Sequence, residues 1–233
     1  MQNIPPWIAP VLVLIVITMV AVALIIRSVR ERKKRVAALR EAIGGLGLEM
    51  QDKADKDFVK AWSAIKPLSK GGKAEHVLWG ELRNALAFTA FQHTFVVHTG
   101  KSAHVVVHSV YAVDTPAWPT LSVTRANALS RWLTGLSAGR GLRNKAADGP
   151  FEENWKVKAD NQPFADTLLT PHIRDTLASL PWCTSLWFVG GKMALIAKRR
   201  LSPEDLSSAT AALEQLWEHI PHPALEPWAA ARE

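Results

Sequence analysis

The chain has 233 residues, a formal net charge of +7 and one cysteine. That leaves room for one core-bearing domain of ordinary size and excludes an internal disulfide or a four-cysteine zinc site within one chain. Between Arg27 and Arg40 seven Lys or Arg stand against one acid, Glu31, so nearly all of the excess charge is local and the remainder does not point to DNA or RNA.

From Trp7 to Ile26 (WIAPVLVLIVITMVAVALII) there is no charge, a run long enough for a bilayer core. Arg27, Arg30, Arg32, Lys33, Lys34 and Arg35 follow it, whereas Met1 to Pro6 holds no Lys or Arg. A signal peptide carries its positive charge before the apolar stretch, so Ala21-Val22-Ala23 is not read as a cleavage site. A buried core helix would have a polar face or a shorter run. The expectation is one transmembrane helix, with the amino terminus outside and everything after Ile26 in the cytoplasm. The basic collar then sits against anionic headgroups, with about 1 kcal/mol gained per side chain near the surface. Helix formers continue as far as Gly44-Gly45-Leu46-Gly47, which ends the neck.

Phe58, Trp62 and Ile65, spaced by four and three, predict a helix over Glu49 to Leu68, and Pro67 with Lys70-Gly71-Gly72-Lys73 predicts a loop. From about Val77 to Val113 β-branched and aromatic residues dominate. TFVVHTGKSAHVVVHSV reads as a hairpin turning at Gly100-Lys101. After Pro116 and Pro119, Thr120 to Val123 forms a short strand, and Leu129, Trp132, Leu133 and Leu136 predict a helix. The basic, glycine-bearing SAGRGLRNKAADGP that follows is the candidate mobile loop.

WKVKA, from Trp155, is a short alternating strand, and Phe164 to Leu180 is helical with a break at Thr170-Pro171. SLWFV and MALIA form a second hairpin about Gly190-Gly191. Ser202-Pro203-Glu204-Asp205 opens a last helix with cap, proline and first-turn acids, and Leu206, Ala209, Leu213, Leu216, Trp217 and Ile220 form its apolar stripe. The tail from Pro221 reads as irregular. The fold class is α+β, with a mainly antiparallel sheet packed with helices. Its divisions are 1–26 (amino terminus and transmembrane helix), 27–46 (basic neck), 47–220 (cytoplasmic domain) and 221–233 (tail).

Few residue groups offer chemistry. Gly100-Lys101-Ser102 lacks the first glycine of a phosphate loop and precedes a strand where a helix is required, so it is a hairpin turn. His93, His98, His104 and His108 crowd the first hairpin. A two-residue turn sets His93 opposite His108, but His104 is about 13 Å along the strand from His108 at ~3.3 Å per residue, too far for three donors around one zinc. A pair with a carboxylate from elsewhere stays open. Cys183, in LPWCTSLWF, reads as a small buried hydrophobe. Asp166, His172 and Asp175 read as a solvated helix face. No G-x-S-x-G, H-E-x-x-H or C-x-x-C occurs.

Phe151 to Val157 (FxxxWxV), Leu168 to Leu177 (LLTPxIRxxL), the TGKS turn and the Gly190-Gly191 hairpin give the layout a resemblance. It resembles bacterial single-pass membrane-anchored proteins with a cytoplasmic α+β domain and no assigned activity. The resemblance covers most of Leu78 to Trp217, implies fold and topology, and carries no functional residue. The expectation is a non-enzymatic protein of the bacterial inner membrane whose cytoplasmic domain binds a protein partner, with no cofactor, no metal and no nucleic acid. The alternatives are a membrane-tethered, metal-dependent enzyme using His93 and His108, and a domain that senses lipid through the collar.

Overall fold

With neither Gly nor Pro between Val11 and Ile43, the apolar run and the collar form one unbroken helix, α1 (Ile8–Leu46). Gly47 ends it at φ +66°, and the Leu48 N–H returns to the Ile43 carbonyl at 3.2 Å, the reverse bond of a glycine C-cap. The computed structural model describes residues 8–83, 85–100, 102–126 and 150–229. The helix expected on Leu129, Trp132, Leu133 and Leu136, and the basic loop after it up to residue 149, lie outside the described residues. So do Trp7 and the last four residues.

The neck does not stop short of the domain. Leu39 and Ile43, 1% and 5% exposed, are part of the main core, so that core begins inside α1, ahead of the boundary expected at the glycine cluster. Leu39→Ala is expected to cost about 2–5 kcal/mol in chemical denaturation. A chain truncated to begin at Gly47 should lose the cooperative melting of one that begins at Arg27. Full stability of the shorter chain would return the boundary to the glycine cluster.

The single helix expected over Glu49 to Leu68 is instead strand β1 (Glu49–Lys53), helix α2 (Lys56–Ala61) and a 3-10 turn (Lys66–Leu68). The first five residues find an open sheet edge, pairing Glu49 with Trp79 and Lys53 with Glu75, and the Trp79 indole donates to Glu49 at 2.8 Å. Asp55 then starts α2 by accepting from the Phe58 N–H at 2.7 Å. The spacing of Phe58, Trp62 and Ile65 still identifies the buried face: Phe58 and Trp62 pack on Phe91 with ring centroids 5.1 and 5.0 Å apart.

Strands β2 (Lys73–Glu81), β3 (Ala87–Thr99) and β4 (Ser102–Asp114) follow, with the hairpin register expected: His93 faces His108 and Thr99 faces Ser102. Next come β5 (Leu121–Arg125), α3 (Pro150–Asn154), β6 (Trp155–Ala159), α4 (Gln162–Leu168) and α5 (Pro171–Ala178). The chain ends in β7 (Cys183–Val189), β8 (Lys192–Ala197), α6 (Pro203–His219) and α7 (His222–Ala229). The helix α7 replaces the irregular tail. Pro223 falls in its first turn, where a missing N–H costs little, and Leu225 is fully buried while Trp228 meets Phe164 edge-on at 5.9 Å.

All eight strands pair antiparallel in the order β1-β2-β3-β4-β8-β7-β5-β6. Alternation along each strand gives the sheet two faces. One carries Leu78, Phe88, Tyr111, Val123, Phe188 and Leu195 against the end of α1 and the later helices. The other carries Val77, Phe91, Val110, Trp187 and Ile196 under α2 and the 3-10 turn, where Trp62, Ile65 and Leu68 close over them.

Candidate functional site

Period two and a tight turn bring His93 and His108 together, on the face covered by α2 and the 3-10 turn. His93 is fully buried and His108 is 9% exposed, whereas His98 and His104, nearer the tip, are exposed. Phe95, two residues along the strand, packs beside both rings, with centroids 5.4 Å from His93 and 5.5 Å from His108. Neither nitrogen of His93, nor Nδ1 of His108, has a partner in hydrogen-bonding geometry. Burial holds His108 down to about 4, helped by the charges of His93 and Lys198. Burial also lowers His93, against an opposing effect of the Gly71 backbone. At neutral pH the pair is therefore two neutral imidazoles. Among the described residues no group of three or more His, Cys, Asp or Glu could hold a metal.

Of the collar, Arg27, Arg30, Lys33 and Lys34 are exposed, with Arg27 bonded to Glu31 at 3.0 Å on the same helix face; the side chain of Arg32 lies outside those described. Arg35 is half-buried. Together with Val36 and Leu39 it lines a cavity of about 170 Å³ against Val105, Val107 and Arg200. Cys183 is fully buried and its thiol is pushed up to about 12 by that burial, so it is no nucleophile at neutral pH. Asp166, His172 and Asp175 are exposed, on two helices, and Asp166 accepts from Gln162 at 2.7 Å.

Sequence reasoning missed an open cleft of about 1000 Å³ between the 3-10 turn with the residues just after it and strands β5 and β6. Its walls carry Lys66 and Lys70 on one side and Lys158 with Asp160 on the other, over hydroxyls of Ser122 and Thr124 and the edge of Trp187. The Trp187 indole N–H donates to the Ser185 hydroxyl at 3.0 Å. The alternating lysines of WKVKA were the one visible signal, because the other lysines come from a segment about ninety residues earlier.

These features define the class: an α+β protein with one eight-stranded antiparallel sheet packed with helices, its core entered by the end of a long amino-terminal helix. No protein-family model matches the chain and no curated protein matches it in sequence. Among solved structures it is similar to the crystal structure of the mycobacterial trehalose monomycolate transport factor A, TtfA. The TM-score is 0.52 at 12% identity, over 79% of this chain and 95% of that one. At that identity the likeness is one of fold.

Proposed function

We propose that the protein is a membrane-anchored binding module of the bacterial inner membrane, with its α+β domain in the cytoplasm and a protein as its partner. The observation that carries this reading is the continuity of α1, which leads without a break from the uncharged run into the core at Leu39. From Ile26 to Leu39 is about 20 Å of helix at ~1.5 Å per residue, so the domain is held just below the headgroups, with the collar at their level. Among the described residues no helix is long and apolar enough to cross a membrane; the side chains of α1 are described from Val16, nine residues into the run. From Val16 to Ile26 the large apolar side chains are 46–62% exposed, a surface that water does not favour and a bilayer does.

Binding is favoured over catalysis by the site chemistry. The two histidines are shut under a loop and the thiol is neutral, while the open cleft is lined by lysines and hydroxyls that suit recognition. A reporter fused after Glu233 is expected to fluoresce as a cytoplasmic fusion and to show no alkaline phosphatase activity. Phosphatase activity at that fusion would reverse the topology. Purification in mild detergent should bring down a stoichiometric protein, and repeated recovery of the chain alone would remove the partner from the reading.

A further inference from the structure

Among the described residues the sheet ends in two edges, β1 and β6. At β6 the Asp160 N–H donates to the Thr120 carbonyl at 3.0 Å and the Ala126 N–H to the Asn154 carbonyl at 2.7 Å. These bonds set the phase of the antiparallel ladder: the even-numbered residues of β6 exchange bonds with β5, and the N–H and C=O groups of Trp155, Val157 and Ala159 point away from it. Lys156 and Lys158, opposite Thr124 and Ser122, stand exposed on the cleft face with Lys66 and Lys70 across from them. Val157, 38% exposed and opposite the buried Val123, alternates with the two lysines and also borders the cleft. One acid, Asp160, lines the cleft.

Resting on the reading that the domain binds a protein, we infer that β6 is an acceptor edge for an extended, acidic segment of that partner. An added strand bonds its main chain to Val157 and Ala159 and places alternate side chains over the cleft face. Carboxylates at those positions meet Lys156 and Lys158, and an apolar residue between them lies beside Val157, so the matching pattern is acid, apolar, acid. Lysines on an edge oppose pairing with neutral or basic strands and select an acidic one. Among the described residues, the sheet edges of a second copy of this chain offer no match. Its β6 brings the same lysines, and the acids of its β1 are engaged, Glu49 by the Trp79 indole and Asp52 by Arg40 at 3.5 Å.

The test uses the full chain in neutral-lipid nanodiscs and a labelled, capped nonapeptide alternating Glu and Val, followed by anisotropy. Two comparison peptides are the same composition with its glutamates in one block, and an alternating Lys and Val sequence. Saturable binding is expected for the alternating acidic peptide, at least tenfold weaker binding for the blocked one, and none for the basic one. Lys156→Glu with Lys158→Glu should weaken binding at least tenfold. Val157→Pro should do the same, since it deletes an outward N–H that the β5 ladder does not use. Equal binding of blocked and alternating peptides, or full binding by Val157→Pro, would reduce the edge to a plain charged patch and overturn the inference, as would displacement of the peptide by anionic vesicles with Val157→Pro unaffected. Should the variants fail to fold, hydrogen exchange on the unaltered protein decides: slowed exchange at Val157 and Ala159 with the acidic peptide supports the strand, and unchanged exchange refutes it. A co-purified partner retained by the double lysine variant would leave the tethered-module reading intact and sink the edge assignment.

Discussion

Lowering the pH from 7 to 4 is expected to destabilise the protein by about 3 kcal/mol through His108 alone, at ~1.36 kcal/mol per unit between an unfolded value near 6.5 and about 4 in the fold. The sign follows from a depressed folded value. Below 6.5 the unfolded chain takes up a proton that the folded chain refuses, so the contribution is complete above that pH and lost as pH falls toward 4. His93, lowered by burial in the same enclosure, acts in the same direction. The groups that bear on the pair are each other, Lys198 and the backbone at Gly71, with Phe95 packed beside both rings. Glu204 is lowered by hydrogen bonds at the start of α6 and Asp205 is raised by burial, so both also titrate in acid. A variant comparison removes their share. Urea unfolding from pH 4 to 8 should show a steep dependence in the natural chain and a much flatter one in the His93→Leu, His108→Leu double variant. Because Nδ1 of His108 has no hydrogen-bond partner and the Gly71 backbone meets the His93 ring outside good hydrogen-bonding geometry, that variant should lose little stability at pH 8. Identical slopes in both proteins would mean that the rings are hydrated.

Gly72→Ala should be the most damaging small substitution in the loop over that pair, costing about 4 kcal/mol. Gly72 has φ +126°, and a Cβ there would stand 2.5 Å from the Thr94 carbonyl oxygen, 2.8 Å from Nε2 of His93 and 3.0 Å from the Cβ of Phe95. The Thr94 carbonyl belongs to a strand whose partner, Lys73, is the next residue, so it cannot retreat without opening the β2–β3 ladder. Backbone strain of roughly 1–3 kcal/mol therefore combines with an overpacking cost of similar size. Gly71→Ala is the internal control. Its φ is +69° and nothing lies within 4 Å of the added atom, so only the left-handed penalty of about 1–2 kcal/mol applies. Denaturant midpoints of the two variants read the contact directly, and equal losses would show that the loop does not press on His93. The acid dependence should also shrink in Gly72→Ala, because a displaced loop admits water to the rings.

The reporter fusion and the peptide titration examine separate parts of the functional proposal. Orientation depends on a charge step in sequence, whereas the acceptor edge depends on which backbone groups face outward.

Much of the fold was readable because it is local. Period-two alternation around Gly100 and Gly190-Gly191 set both hairpins and the facing of His93 and His108, since a short turn leaves one register. Ser202 with Pro203 marked the start of α6 because a cap acts on N–H groups two or three residues away. Other features were decided only when distant segments met. The sequence EMQDK has no strand-forming alternation, and Glu49–Lys53 is a strand because β2 offers an edge. His222–Ala229 is a helix because Leu225 and Trp228 find apolar surface, overriding the prolines that mark a loop in isolation. Leu39 and Ile43 looked like part of a charged neck and are core, since burial depends on what packs alongside. Lys66, Lys70 and Lys158 gained a common cleft in the same way: charge and chain order belong to the sequence, but proximity between residues ninety apart exists only once the sheet has closed its order.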